Sequence, residues 1–318
     1  MEKRLDQMAI ARQLVPSRDP RLRSLVRRRP KRVWADVGRC YGLMLLAFVL
    51  LAAVDFWWIP LLSFVLIGTQ QYAIFILGHD GMHTNLLPRR RTNDVFTTAL
   101  LYAPLGMYLN DQRANHLAHH WLLGTETDPD RYLHAAVNKA TAEKFLLFLT
   151  GFMTFPRTLF KVSPFRKRQH PLKIQLWNFL VGRWPSFLAQ AVVFTGMTPF
   201  FPWWHYFVFW LMPIYVLVFV PDEIRAFCEH AQAVLPDSAG DSRRLITFVP
   251  NPLERIFFAP MNMNFHAEHH LWPFIPYYNL PELHRLVANS KEIEIRRSYV
   301  GFLWTYFRRL PLESVTSP

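Results

Sequence analysis

The sequence predicts an all-α integral membrane protein: four transmembrane helices in two hairpins, with interfacial helices and a helical cytoplasmic cap. Three observations carry this expectation. Apolar residues make up 51% of the 318-residue chain. They gather in two long runs, and a formal charge of +13 is kept out of the turns of those runs. A soluble core of this size would divide its apolar residues among short periodic segments instead of long uncharged ones.

The first run, residues 41–77, carries Asp55 as its single charge. About 20 apolar residues suffice to cross a bilayer core, so the run holds two crossings. Asp55, Trp57, Trp58 and Pro60 mark the turn between them. The second run, residues 184–220, has no charge, and its middle carries prolines with Trp203 and Trp204, which suit a membrane interface. Between the hairpins, residues 97–109 and 145–155 are apolar but too short to cross, and read as interfacial helices. After residue 220, Pro250, Pro252, Pro260, Pro273, Pro276 and Pro281 break the chain into short helices and loops, the expected cap.

Charge sets the orientation. Arg27, Arg28, Arg29, Lys31 and Arg32 precede the first hairpin; Arg89, Arg90, Arg91, Arg166, Lys167 and Arg168 lie between the two. Neither apolar turn contains lysine or arginine, so both termini and the central loop are expected in the cytoplasm. Juxtamembrane arginines facing anionic lipid explain the basic N-terminal segment better than nucleic acid does. The two cysteines, Cys40 and Cys228, provide no disulfide framework, in keeping with a reducing compartment. The first apolar run begins after some forty polar residues, so no secretory leader is expected, and Glu2, Asp6, Asp19 and Asp36 argue against a transit peptide.

Histidine carries the chemistry. The first cluster is His79 and His83, four apart on one helix face at the end of the second span. The second is His116, His119 and His120, the third His266, His269 and His270. In HxxHH the first histidine stacks over the third or fourth position, whereas the adjacent pair diverges by about 100° around the helix, so one helix can serve two metals. His230, just beyond the last run, falls on the same side by parity of the crossings. A crossing between the first two clusters would separate them, an independent reason to refuse one there. Nine imidazoles are too many for one ion, since a closed zinc site takes about four ligands, and suit a pair. With 13 histidines, chance placement gives about 0.02 occurrences of HxxHH in the chain, which has two. Imidazole binds Fe, Zn, Cu and Ni alike, so spacing does not choose the metal.

The set HxxxH, HxxHH and HxxHH with His230 resembles the membrane fatty-acid desaturase family. Supporting tracts run from Gly124 through Thr125, Glu126, Thr127, Asp128 and Pro129 to Asp130, and from Leu271 to His284. The resemblance implies a non-haem centre of two Fe ions, four transmembrane helices, and O2 as co-substrate in attack on an acyl chain. It implies His79, His83, His116, His119, His120, His230, His266, His269 and His270 as ligands. It also implies a basic N-terminal segment at 1–40, a membrane and catalytic domain at 41–287 and a C-terminal segment at 288–318. Animal members place an asparagine four residues before the extra histidine, where this chain has Ala226; Arg225 or Glu229 is expected to organise that side instead.

Asp80 and Glu229 are favoured as acceptors for the second N–H of ligand imidazoles, with Asp128, Asp130 and Glu268 even between that role and capping. His170 and His205 read as ordinary, and His284 as a structural hydrogen-bonding residue. An unactivated methylene has neither an acidic proton nor a polarised bond, so the chemistry must come from metal and oxygen. Desaturation is the favoured outcome; hydroxylation, carotenoid ketolation and terminal-alkene-forming decarboxylation use the same scaffold. No segment reads as a haem, flavin or iron–sulfur domain, so electrons are expected from a separate donor of ferredoxin, rubredoxin or cytochrome b5 type. A metal transporter would line its spans with ligands, but these spans are almost free of ionisable groups.

Overall fold

The computed structural model describes residues 7–123, 125–134, 141–152, 154–155, 172–230 and 245–310. Gly124, Arg166, Lys167, Arg168 and His170, used above, lie outside the described residues. The protein is mostly helical and divides into two compact units. Among the described residues, three helices are long and apolar enough to cross a membrane: Pro30–Ala53, Ile59–Met82 and Trp204–His230.

The first unit comprises Arg28–Ala114 with Lys161–Phe219. Helix Pro30–Ala53 starts before the apolar run because Pro30 presets its first turn and Arg32 pairs with Asp36 one turn on, at 3.7 Å. It packs against helix Ile59–Met82, where the Ser63 hydroxyl donates to Ala47 O at 3.0 Å. The turn between them leaves Phe56, Trp57 and Trp58 exposed, an aromatic edge suited to a lipid interface. From Ile67 to Met82 every residue of the second helix is buried, so this helix is the centre of the unit. Gly78 and Gly81 permit that: a Cβ on either would overlap the Tyr102 ring or the Thr97 side chain.

The expected interfacial helix at 97–109 takes a different form. Residues Thr97–Tyr102 make a π-helical turn and Ala103–Leu105 a 3-10 turn, closed by Gly106 at φ 76°. Thr97, Leu101, Tyr102, Ala103 and Leu105 are buried, so the segment packs into protein, against helix Ile59–Met82.

The expected limb at the start of the second hairpin, from residue 184, is the helix Trp184–Met197, and a further helix precedes it. Leu172–Gly182 and Trp184–Met197 are separate helices with Arg183 between them. Arg183 is buried, 3.5 Å from Asp111 and 3.9 Å from the Phe179 ring centroid. Fourteen residues span about 21 Å, less than a hydrocarbon core of about 30 Å. The other limb, Trp204–His230, widens to π-type turns at Phe207–Leu211 and Ile214–Phe219, on either side of Pro213. Proline has no N–H and crowds the carbonyl four residues back, which wider turns relieve. Inside this unit Gln71 Nε2 donates to Trp210 O at 3.0 Å, and Gln190 Oε1 accepts from Tyr206 Oη and Trp210 Nε1. Both cysteines are free and buried.

The second unit comprises Met1–Arg27, Asn115–Phe160 and Val220–Pro318. Two short helices lie within the basic N-terminal segment, Gln7–Leu14 and Pro20–Leu25, the latter capped by Asp19, which accepts from Arg21 N at 2.8 Å. They bury Ala11, Val15, Leu22 and Leu25 in a core with Leu271, Trp272, Ile275 and Leu283. A second core joins Phe145, Phe148, Phe227, Phe248, Tyr299, Phe302 and Tyr306. Each such ring removed from water contributes about 1.5–3 kcal/mol. The helix Ala142–Leu149 turns Phe145 and Phe148 into this core and leaves Leu146 and Leu147 exposed, the two faces an interfacial helix requires. The helical expectation misses one feature, a parallel pair of three-residue strands, Ile246–Phe248 with Glu294–Arg296. Strands this short show no alternation in sequence.

Candidate metal centre

His79 lies in the last turn of helix Ile59–Met82 and His83 caps it, with ring centroids 5.8 Å apart. Carbonyls at a helix C-terminus lack intrahelical partners. Here Arg113 supplies them: Nε donates to Met82 O at 2.9 Å and Nη2 to Gly81 O at 3.2 Å, while Nη1 and Nη2 hold Asp94 at 2.9 and 2.5 Å. Asn93 adds a bond to Gly81 O at 2.9 Å. Asp80 is buried and accepts from Asn85 Nδ2 at 2.9 Å, closing the turn after the helix. Burial, and then the charge of Arg113, pushes His83 down to about 3, so the imidazole is neutral and offers a lone pair.

The other seven candidate histidines lie in the second unit. His116, His119 and His120 are on helix Leu109–Leu122, His230 ends helix Trp204–His230, and His266, His269 and His270 are on helix His266–Leu271. The last helix follows Met261 and Asn262, both at positive φ, 53° and 62°. Asn262 Nδ2 donates to Tyr277 O at 3.2 Å and Asn264 Nδ2 to Phe248 O at 2.8 Å, bonds that hold this uncommon backbone.

The seven rings form two groups. In one, His120 Nε2 lies 2.9 Å from His116 Nε2 and 3.2 Å from His269 Nε2. In the other, His119, His230 and His270 gather their ligand atoms within 4.8 Å. His230 Nε2 lies 3.3 Å from His119 Nε2 and 2.8 Å from His266 Nε2, which in turn is 3.0 Å from His270 Nε2. Two imidazole nitrogens bound at about 2.0–2.1 Å to one tetrahedral or octahedral ion stand about 2.8–3.4 Å apart. The observed separations are those of ligands sharing an ion.

Protonation points the same way. His119 Nδ1 faces the buried carboxylate of Asp128 at 2.9 and 3.2 Å, so Nδ1 carries the proton and Nε2 presents a lone pair. Asp128 also accepts from Asp130 N at 2.9 Å, which fixes the carboxylate. Burial, followed by the neighbouring His120, His266, His230 and His119, holds His270 well below the ordinary imidazole range. Lone pairs of neutral rings converging at 3 Å repel unless a cation lies between them. The donor set therefore fits two metal ions of the kind imidazole binds.

The carboxylates divide by role. Glu229 is fully buried; Arg225 Nη1 donates to its Oε2 at 2.5 Å and Tyr299 Oη to its Oε1 at 2.7 Å. Its Oε2 stands 3.4 Å from His266 Nδ1. Arg225 Nη1 is also 3.4 Å from that nitrogen, but a ring whose Nε2 binds metal carries its proton on Nδ1, where an arginine cannot donate. Arg225 is committed to Glu229 and, through Nη2, to Asp222 at 2.8 Å. Arg225 and Glu229 thus form one pair beside Ala226. Glu268, between the ligand candidates of its helix, instead accepts from Thr247 Oγ1 and from His284 Nδ1 at 2.5 Å, tying strand and helix together. His205 lies among Phe201, Trp204 and Phe209 in the first unit.

Sequence reasoning missed Tyr299 and Thr247. Neither sits in a motif, and Tyr299 belongs to the stretch 288–318 read as a separate C-terminal segment, yet its hydroxyl reaches Glu229.

Comparison with known proteins agrees with this arrangement. The family model for fatty acid desaturase matches residues 55–302. The chain is 24% identical over 264 residues to an sn-1 acyl-lipid omega-3 desaturase (ferredoxin) of Synechocystis sp., covering 77% of this chain and 70% of that protein. A protein of the same description from Nostoc sp. is 22% identical over 249 residues, covering 74% and 69%. A sphingolipid delta(4)-desaturase of Candida albicans is 24% identical over 314 residues, covering 93% and 80%. With the family match running through all four histidine-bearing segments, the chain belongs to the fatty acid desaturase family and is an oxidoreductase.

Proposed function

We propose that the protein desaturates the acyl chain of a membrane lipid, using O2 and two iron ions held by its histidines. The observation that carries this is the division of seven buried or half-buried imidazoles into two groups at ligand spacing. His116, His120 and His269 would hold one ion, and His119, His230, His266 and His270 the other. His79 and His83 are further ligands on this reading, carried by their HxxxH spacing and the family resemblance. When bound, such an iron pair supplies the activation of O2 that breaks two unactivated C–H bonds. Overall, CH2–CH2, O2, two electrons and two protons become CH=CH and two waters.

The chain's own residues prepare that chemistry. Asp128 orients His119, Glu229 orients His266, and Arg225 balances the Glu229 charge. Two relatives carry ferredoxin in their names, which supports a ferredoxin-type donor over one of rubredoxin or cytochrome b5 type. Two relatives are named for an acyl lipid and one for a sphingolipid, which supports a lipid acyl chain as the substrate class proposed here.

Four crossings, with both termini and the iron site on the cytoplasmic side, complete the reading. The distribution of lysine and arginine supports it, as does the apolar surface of Phe187, Leu188 and Val192 on helix Trp184–Met197, which is exposed as a lipid-facing limb would be.

Lipid mass spectrometry of cells expressing the wild type beside His269→Ala tests the function, together with iron content of the purified proteins. New double bonds and about two irons without a Soret band are expected for the wild type only. New hydroxyls or shortened terminal alkenes would replace desaturation with another outcome, and metal uptake without lipid turnover would overturn the enzyme reading.

A further inference from the structure

We propose that Tyr299 is a positioning residue for one of the two ions, acting through Glu229 and His266; the inference rests on the iron reading of that histidine group. Its hydroxyl donates to Glu229 Oε1 at 2.7 Å, the other oxygen of that carboxylate stands 3.4 Å from His266 Nδ1, and His266 Nε2 lies 2.8 and 3.0 Å from His230 and His270 Nε2. Tyr299 thus lies one hydrogen bond and one 3.4 Å approach behind the place where the nitrogens converge.

The hydroxyl is held there by everything around it. Tyr299 is fully buried, its ring parallel to Phe248 with centroids 4.0 Å apart and planes 11° apart, and Phe258 lies at 5.4 Å. Its backbone N donates to Glu254 Oε2 at 2.7 Å, and Ser298 caps the helix it opens by accepting from Gly301 N at 2.9 Å. Ring and backbone are both fixed, so the hydroxyl has one direction available. Its bond to Glu229 is a consequence of that placement.

The carboxylate needs both of its donors. A buried carboxyl group is stable only when its lone pairs are met, and here Arg225 donates to one oxygen and Tyr299 to the other. With the hydroxyl removed, Oε1 is left without this donor, and the carboxylate gains by rotating toward Arg225 and away from His266 Nδ1. In that position it no longer selects the Nδ1–H tautomer of His266. The ring can then carry its proton on Nε2, where a hydrogen replaces the lone pair that faces His230 and His270. Because the Tyr299–Glu229–His266 path ends in one histidine group, the effect on the two ions is expected to be unequal.

The test uses the full-length protein purified in detergent with iron, titrated with an iron chelator. Wild type is expected to hold about two irons. Tyr299→Phe keeps the ring and its stacking and is expected to hold one iron as tightly as wild type, releasing the other at chelator concentrations about 10–100-fold lower. Glu229→Gln is expected to release the same single iron, and the double variant to be no worse than Glu229→Gln alone, because the two residues act in series. A melting temperature taken alongside separates positioning from folding. Two irons held as tightly in Tyr299→Phe as in wild type would overturn the proposal. So would equal loss of both irons with a lowered melting temperature, or additive losses in the double variant. If wild type binds no iron, the iron reading itself fails and this inference falls with it, a result visible before any variant is compared.

Discussion

His119 and His120 are neighbours in sequence, yet their ring planes stand 75° apart and each faces a different histidine group. His269 and His270 repeat the relationship at 86°. A step of about 100° per residue produces this divergence on any helix, and the residue four positions back, His116 or His266, then joins one member of each pair. HxxHH is therefore a unit that places two rings in one group and one in the next. Two such helices give one group of three and, with His230, one of four.

Substitutions should sort by group. His269→Ala removes a donor from the His116 and His120 group and is expected to abolish turnover while one iron remains bound. His205→Ala, among aromatic rings in the other unit, is expected to change neither. Iron content and product yield measured on both variants check this; equal effects from the two would sink the ligand assignment.

Asp128→Ala removes the acceptor that fixes the tautomer of His119. Loss of such an outer partner costs about 10–100-fold in metal affinity, so a chelator should strip one iron from this variant well before the other. Asp128→Asn keeps an acceptor oxygen and should fall between it and wild type. An unchanged chelator titration for Asp128→Ala would show that His119 is oriented by something else.

The gathering of the histidines was legible because helical spacing brings i and i+4 to one face. The supporting carboxylates were not, because a second N–H finds its partner through tertiary structure. Asp80 and Glu229 stood ahead of Asp128 on sequence grounds, but the structure puts Asp128 directly on His119, while the bond seen at Asp80 closes a turn with Asn85. Glu268, two residues after His266, looks like a partner for a ligand and is instead occupied by Thr247 and His284. The apolar runs located the first hairpin, yet hydropathy could not show that a further helix ends at a buried Arg183 just before the second run or that π-type turns flank Pro213. These depend on Asp111 as a partner for the arginine and on backbone bonding around a missing N–H.

The Asp94–Arg113 pair gives a pH dependence with a definite sign. The Arg113 hydrogen bonds, the largest cause, hold the Asp94 carboxyl below its ordinary value of 3.8. A carboxyl depressed on folding adds stability that is fully present above the unfolded value and is lost as pH falls through the folded one. Melting temperature in detergent, followed from about pH 6 to about pH 3, should therefore fall less steeply for Asp94→Asn than for wild type. Identical slopes would mean that the pair does not persist in solution. Asp94 is partly exposed, so the difference should shrink at high salt.

Gly78 tests how closely the His79 helix must approach its neighbour. A Cβ there would overlap the Tyr102 ring, which is buried and has no room to withdraw, whereas a Cβ on Gly42 in the first helix meets nothing within 4 Å. Overpacking of this kind costs about 1–3 kcal/mol, while alanine for glycine at an open helical site is neutral or favourable by up to about 1 kcal/mol. Gly78→Ala is thus expected to lower the melting temperature and Gly42→Ala to leave or raise it. Because Gly78 adjoins His79, a shift of the helix end should also reduce iron content in Gly78→Ala. Adding Tyr102→Leu makes space for the methyl group and should return part of the lost stability and iron. If Gly78→Ala melts as wild type does and keeps both irons, the close approach of helix and ring is not what holds His79 in place.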